Sequence, residues 1–220
     1  MKRARFRVLL FPLCVVAGMA LAHDNGSWKT KAPEKWTLEE AQQVLGESPW
    51  VKIRTLWITP LNRQHVARYE VRIRSAFPIR MALAHSIASQ PARHVRSARP
   101  PDPKALLRKA DSFRVPNQLL ISVRCPNPAA TDTLNRQSLR TFGENAYIEL
   151  EASGRKVHPI GYDAPWQNDL RVALFHFPRP TPEEIGRRIT FVARFGVPNV
   201  VTLKVDFDLN DLRWHGHIEY

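Results

Sequence analysis

His215 and His217 are the pair whose type and spacing point most directly to chemistry. Read as one strand, Arg213 to Tyr220 puts His215, His217 and Glu219 on one face, and Trp214, Ile218 and Tyr220 on the other. Two imidazoles two residues apart on a strand face aim at a common point, and Zn²⁺ or Cu²⁺ accepts such ligands. Glu219 would be a further donor, although side chains four apart on a strand diverge. The same residues also describe a solvated polar face, and no other cofactor is expected. Asp206-x-Asp208-x-Asn210 copies the opening of a calcium loop. That signature then needs Gly where Asp211 stands, and Glu where His217 stands, so a polar outer strand face is the better reading.

Charge is the other chemical resource. The formal net charge is +13, and it is unevenly placed. Residues 63–124 hold thirteen basic side chains against Glu70, Asp102 and Asp111, while residues 23–62 and 125–220 nearly balance. Alternation places Arg68, Arg72 and Arg74 on one strand face, and Arg93, Arg96 and Arg99 fall in a proline-rich loop. These six are the candidate anion-binding residues. A surface of this kind suits an anionic envelope polymer, a membrane surface or an acidic partner protein. The sequence carries no Gly-x-Ser-x-Gly, His-Glu-x-x-His, phosphate-binding or dinucleotide-binding motif. A triad assembled by the fold rather than by spacing stays open.

The first 22 residues say where this chemistry would operate. Lys2, Arg3, Arg5 and Arg7 form a basic head, Val8 to Ala17 is apolar around Pro12, and Ala20-Leu21-Ala22 supplies small residues for cleavage before His23. A spanning helix needs about 20 apolar residues, so a cleaved signal peptide is expected rather than a retained anchor. The protein would then be periplasmic or secreted, which argues against nucleic acid as a partner. Cleavage would remove four positive charges and Cys14, leaving Cys125 as the one cysteine. No intramolecular disulfide could form, and stability would rest on packing. Cys125 itself reads as a small buried residue.

The elements that must position these residues can be read from pattern. Residues 23–36 are polar with Trp28 and Pro33, and read as an extended arm. Thr37-Leu38-Glu39-Glu40 matches a capping box, predicting a helix over 38–45 with Gly46 as its stop. Strands are expected at 51–58, 66–76 and 118–124, and helices at 78–89 and 103–110, the last opened by Asp102-Pro103. Residues 91–103 read as a basic proline-rich loop. The remainder reads as a run of strands at 146–152, 155–160, 170–177, 188–195, 200–208 and 213–220, with a tight turn at Ser153-Gly154 and a helical turn at 181–184. The expected fold is mainly β, an antiparallel β-sandwich or open barrel, with two or three short helices in the N-terminal half. Residues 37–220 would form a single domain; an α+β half followed by a separate β-domain after about residue 125 is the alternative.

Two segments carry a resemblance. Trp36-Thr37-Leu38-Glu39-Glu40-Ala41 followed by Ser48-Pro49-Trp50, with Phe207-Asp208-Leu209 and Trp214-x-Gly216-x-Ile218-Glu219 near the end, resemble uncharacterised exported proteins of soil bacteria of the acidobacterial type. Phe177-Pro178-Arg179 is a further point of likeness. The resemblance implies export and a bacterial source, and carries over no activity or site residue. This chain departs from that group at His217, where Lys is commoner, which weakens the metal reading. Three functions therefore remain: a noncatalytic exported binding or scaffold module, a Zn- or Cu-binding protein, and a hydrolase with an unrecognised site.

Overall fold

The structure, a computed structural model, describes residues 26–58, 65–89, 102–127, 145–164, 166–167, 170–195 and 200–220. Its strands are β1 (Val51–Ile58), β2 (His65–Ile73), β3 (Gln118–Arg124), β4 (Ala146–Leu150), β5 (Lys156–Val157), β6 (Gly161–Asp163), β7 (Trp166–Gln167), β8 (Leu170–Arg171), β9 (Ala173–Pro178), β10 (Arg188–Phe195), β11 (Val201–Asp208), β12 (Arg213–Trp214) and β13 (His217–Ile218). One sheet runs β1-β2-β3-β9-β6 and a second runs β11-β10-β4-β5. Every pairing within them is antiparallel. The fold is thus mainly β, as expected, and it is a sandwich of two open sheets rather than a closed barrel. The N-terminal strands find their partners in β3 and, beyond it, in β9 and β6 of the C-terminal half.

Period-two alternation decides which side of each strand goes inside. Ala67, Tyr69, Val71 and Ile73 of β2 are fully buried, as are Ile189, Phe191 and Ala193 of β10 and Leu203, Val205 and Phe207 of β11. Aromatic rings knit the two sheets together. Phe175 lies 5.3 Å and Phe177 6.2 Å from Phe191, and Tyr69 lies 5.5 Å from Phe195. At one edge the Arg54 Nε donates to the Lys204 carbonyl at 3.2 Å, bridging β1 to β11. The buried thiol of Cys125 belongs to this same core, and burial raises its pKa despite backbone hydrogen bonds that oppose the rise.

The helices are α1 (Ser27–Thr30), a 3₁₀ turn at Pro33–Lys35, α2 (Leu38–Glu47), α3 (Phe77–Ala88), α4 (Pro103–Asp111) and α5 (Pro182–Ile185). None of the described helices is long and apolar enough to cross a membrane. A capping box opens α2 at Thr37, as the sequence predicts, and another opens α5 at Thr181, where a helical turn is expected. Gly46 is not a stop, because α2 runs on to Glu47 and the Ser48 hydroxyl then donates to the Val44 carbonyl at 2.6 Å. The 78–89 segment is helical, as expected. Pro78 to His85 are all buried, because α2 and α4 pack on either side of α3.

The described part of the expected arm is folded, not extended. Trp28 of α1 and Trp36 are 6 % and 4 % exposed, and they meet Trp50 and Trp214 in one aromatic cluster. Trp28 stacks on Trp214 at 6.0 Å, while Trp36 meets Trp214 edge-on at 5.7 Å and Trp28 at 6.3 Å. Each indole that could strand a buried N–H finds an acceptor. Trp36 Nε1 donates to the Trp28 carbonyl at 3.1 Å, and Trp50 Nε1 to the Glu219 carbonyl at 2.6 Å. The His85 Nε2 donates to the Pro33 carbonyl at 2.8 Å, fixing the 3₁₀ turn against α3. Beneath α1, Glu40 accepts from the Ser27 hydroxyl at 2.7 Å, from Lys31, and from the Thr37 amide at 2.9 Å.

The 213–220 segment also departs from expectation. His215 and Gly216 have φ of 48° and 83°, both left-handed, so the chain reverses there. Two successive positive φ values are the signature of a two-residue hairpin turn of the I′ type, and Trp214 pairs with His217 across it. A strand expected to be continuous is a hairpin of β12 and β13. The 91–103 loop falls outside the described residues apart from Asp102 and Pro103.

Two measurements test this account. Trp214→Ala should cost about 3–5 kcal/mol in denaturant unfolding, the range for deleting a large buried aromatic; a loss under about 1 kcal/mol would sink the claim that the cluster is a fixed part of the core. Burial opposes ionisation of Glu40, but the Lys31, Ser27 and Thr37 donors outweigh it and hold its carboxyl at about 2 instead of 4.5. A lowered folded pKa means that this stabilisation is complete above the unfolded value and fades as pH falls towards the folded one. Glu40→Gln should therefore cost about 1–2 kcal/mol at neutral pH. The gap from wild type should close as pH is lowered from about 5 to about 2.

Candidate functional site

The outer face of β2 is where the sequence concentrates arginine, and partners there sort the candidates into two kinds. Glu70 sits opposite Arg124 of β3 in the pairing register. Its carboxylate accepts from Arg72 Nη2 at 2.7 Å and from Arg124 Nε at 3.1 Å. Arg72 is only 8 % exposed, and burial lowers its pKa to about 10 even though Glu70 pulls the other way. A buried guanidinium bound to a carboxylate is a clamp between strands rather than a surface for ligands. Arg74 is half-buried with its guanidinium 5.7 Å from the Phe113 ring, and burial depresses its pKa as well. Arg68 alone of these three is exposed. Arg93, Arg96 and Arg99 lie outside the described residues.

A basic surface is nevertheless present, on α4. Asp102 caps this helix by accepting from the Lys104 amide at 3.2 Å, and Pro103 occupies its first turn. Leu106 and Ala110 are its buried residues, so the opposite side faces outward with Lys104, Arg108 and Lys109. The helix is held from below by Arg80 of α3, itself 7 % exposed. Arg80 Nε donates to the Ser75 carbonyl at 3.0 Å, and Nη1 donates to the Ala110 carbonyl at 3.2 Å and to Asp111 at 3.4 Å. A cation on the last carbonyls of a helix is well placed against its dipole. Just beyond α4, the Lys109 ammonium lies 5.2 Å from the Phe113 ring, and Arg114 is exposed. The α4 cations were readable from the Asp102-Pro103 cap and the spacing of Leu106 and Ala110.

The histidines behave differently from the metal expectation. His215 occupies the hairpin turn, with its ring stacked on Trp214 at 4.5 Å, while His217 stands on the returning strand. They do not share one strand face, and both are exposed. Among the described residues, no three His, Cys, Asp or Glu side chains gather at a metal-binding geometry. A different histidine has partners that the sequence does not reveal. His176 of β9 places Nδ1 2.8 Å from Gln118 Oε1 and Nε2 2.9 Å from Asp163 Oδ2. Gly161 lets β6 come close, since a Cβ there would stand 3.3 Å from the His176 Cβ. Both ring nitrogens are engaged, so neither is open to accept a proton from a nucleophile. The Asp163–His176–Gln118 chain cross-links β6, β9 and β3 at the sheet surface.

A polar cleft of about 530 Å³ opens between α1, α2 and the start of β1, lined among others by Lys29, Lys52, Glu47 and Asp211. Its charges balance in sign, and Trp28 at its base is stacked against Trp214, so it offers neither an anion-selective field nor a free ring face. Comparison with protein-family models, curated proteins and solved structures finds no match to this chain.

The division of the arginines into clamps and surface groups is measurable. Glu70→Gln leaves Arg72 buried without its counter-charge and should cost about 3 kcal/mol in chemical denaturation. Arg68→Ala should change stability by less than about 0.5 kcal/mol. Equal effects from the two substitutions would contradict the division.

Proposed function

We propose that this protein is an exported, noncatalytic binding or scaffold module whose basic surface engages an anionic component of the cell envelope, either an acidic polymer, a membrane surface or an acidic protein. One observation carries the reading. Each of the three acids in residues 63–124 is already engaged by arginine: Glu70 by Arg72 and Arg124, Asp111 by Arg80, and Asp102 by Arg108 at 3.9 Å. Arg68, Lys104, Lys109 and Arg114 are exposed and have no acidic partner among the described residues. The excess charge of this segment therefore faces solvent, where it raises the local concentration of polyanions. The basic, apolar and small-residue pattern of residues 1–22 supports export of the module to the compartment in which such polymers occur.

The test is retention of the processed protein on an acidic polysaccharide column and on anionic vesicles. Retention should fall steeply between about 0.05 and 0.5 M salt as the charges are screened. Lys104→Glu, Arg108→Glu and Lys109→Glu together should abolish it without changing the unfolding midpoint by more than a few degrees. Retention that ignores both salt and these substitutions would refute the electrostatic reading.

A further inference from the structure

Trp57 is 69 % exposed and its cross-strand partner Val66 is 49 % exposed, so the outer end of the β1–β2 pair turns apolar surface to water. Val200, just ahead of β11, is 66 % exposed. The way the two sheets meet brings these residues towards one end of the sandwich. Lys52 Nζ lies 6.0 Å from the Phe207 ring centroid, and two residues further along β1 the Arg54 guanidinium bonds the Lys204 carbonyl. Advancing along β1 thus means retreating along β11, and the end of β1 lies towards the start of β11. The 5.5 Å contact of Tyr69 with Phe195 ties β2 to the end of β10, where Phe195 pairs with Val201. A single exposed apolar residue is ordinary. Three at one end of a fold, one of them an indole, form a patch.

Cations stand one step back from this tip. Arg68, next after Val66 on the outer face of β2, lies opposite Thr55, and Arg194 of β10 lies opposite Thr202. Both are exposed, as is Lys204, and none of the three has an acidic partner among the described residues. The acids of these strands come further from the tip. Glu70, two residues beyond Arg68, is held by Arg72 and Arg124, and Asp206, two beyond Lys204, accepts from the Thr190 hydroxyl at 2.6 Å. The order along the molecule is therefore apolar, cationic, then acidic. A bilayer with anionic headgroups offers the complementary order of acyl boundary, negative charge and water. An indole suits that boundary, because its ring is apolar and its N–H is not. A stable protein interface buries roughly 800 Å² on each side, which calls for more apolar residues than these three. A sugar could stack on the ring, but Val66 directly opposite would offer it no hydrogen bond.

We infer that this end of the sandwich lodges in the surface of an anionic bilayer, with Trp57, Val66 and Val200 at the acyl boundary and Arg68, Arg194 and Lys204 on the headgroups. The inference rests on the anion-binding reading above for capture, which draws on the charge of the whole protein. It adds a lodging step that charge alone does not provide, and it names one kind of partner.

Co-sedimentation of the processed protein with vesicles of phosphatidylcholine and phosphatidylglycerol in equal parts tests it. Trp57→Thr, which keeps a β-branched residue in the strand, should weaken vesicle binding about tenfold or more. Its unfolding midpoint should stay within a few degrees of wild type. Val200→Ser, outside any strand, should weaken binding severalfold as a second, independent probe. Lipids brominated on their acyl chains should quench part of the wild-type tryptophan emission, and Trp57→Phe should abolish that quenching. Arg68→Ala with Arg194→Ala should weaken binding and flatten its salt dependence. Vesicle binding untouched by Trp57→Thr and Val200→Ser, or an absence of quenching, overturns the lodged tip. So does a wild-type dimer that Trp57→Thr dissociates, which would assign the patch to a second copy of the chain. Retention of Trp57→Thr on acidic polysaccharide separates the two claims. It should match wild type at every salt concentration, because no charge has changed. A parallel loss there would mean that the ring stacks on sugar and would defeat the bilayer inference. Absence of polysaccharide retention in wild type would defeat the surface reading instead.

Discussion

Four indoles packed in one place set the terms for the rest of this molecule. Trp28 and Trp36 come from the N-terminal turns, Trp50 from the entry to β1, and Trp214 from the closing hairpin. None of these segments has a regular element long enough to hold itself in place. Joined, they bury large ring areas and gain edge-to-face and stacked contacts worth about 0.5–1.5 kcal/mol per pair beyond burial. The cluster thereby turns both ends of the described chain into parts of the core. With one cysteine in residues 23–220 and so no intramolecular disulfide there, packing of this kind must supply the stability. The last residues extend the same device. Glu219 accepts the Trp50 indole on its carbonyl and the Phe77 amide on its carboxylate, and the Tyr220 hydroxyl donates to the Pro180 carbonyl. The C-terminal dipeptide thus caps the entry of α3 and pins the segment before α5.

Because α3 is anchored at that end, the burial of Pro78 to His85 becomes understandable. This stretch starts at a fixed point and lies between α2 and α4, and the helix is exposed only towards its end, at Ile87 and Ala88. Its buried polar residues, Arg80 and His85, must be satisfied internally, and both are used as fasteners. His85 holds the 3₁₀ turn, and Arg80 holds the C-terminal end of α4. The surface position of α4, with its cations outward, is fixed by a buried arginine on the helix directly beneath it.

Local signals in the sequence were legible where the deciding interaction was itself local. Thr37 with Glu40, Thr181 with Glu184, and Asp102 before Pro103 each announce a helix start, and the structure places one at each. The alternating runs within 66–73, 188–195 and 201–208 are strands because the periodicity that buries one face is written in consecutive residues. The failures share a physical cause: the determinant lies far away in sequence. Residues 26–36 look polar and open until Trp214 supplies a partner for Trp28. His215 and His217 look like one strand face until His215 takes a left-handed φ, a conformation more often associated with Asn or Gly. Arg72 looks like a surface cation until the register of β3 brings Arg124 opposite Glu70 and closes a three-residue ion cluster.

That last case shows why counting charge in a sequence overstates a binding surface. A guanidinium taken out of water needs a carboxylate and further acceptors, or its desolvation is uncompensated. Arg80 meets that requirement with the Ser75 and Ala110 carbonyls and Asp111, while Arg72 has the Glu70 carboxylate but leaves its buried Nε without a partner; together the two arginines occupy two of the three acids of the segment. The acids are few in this segment, and spending them on buried arginines leaves the exposed cations unmatched. Asymmetry between interior pairs and exterior excess, rather than the total of thirteen basic residues in 63–124, is what gives α4 its field. An anion approaching α4 meets Lys104 and Lys109, which have no acidic partner among the described residues, and Arg108, whose contact with Asp102 is 3.9 Å long, and it meets them on a helix whose Ala110 carbonyl Arg80 ties to α3.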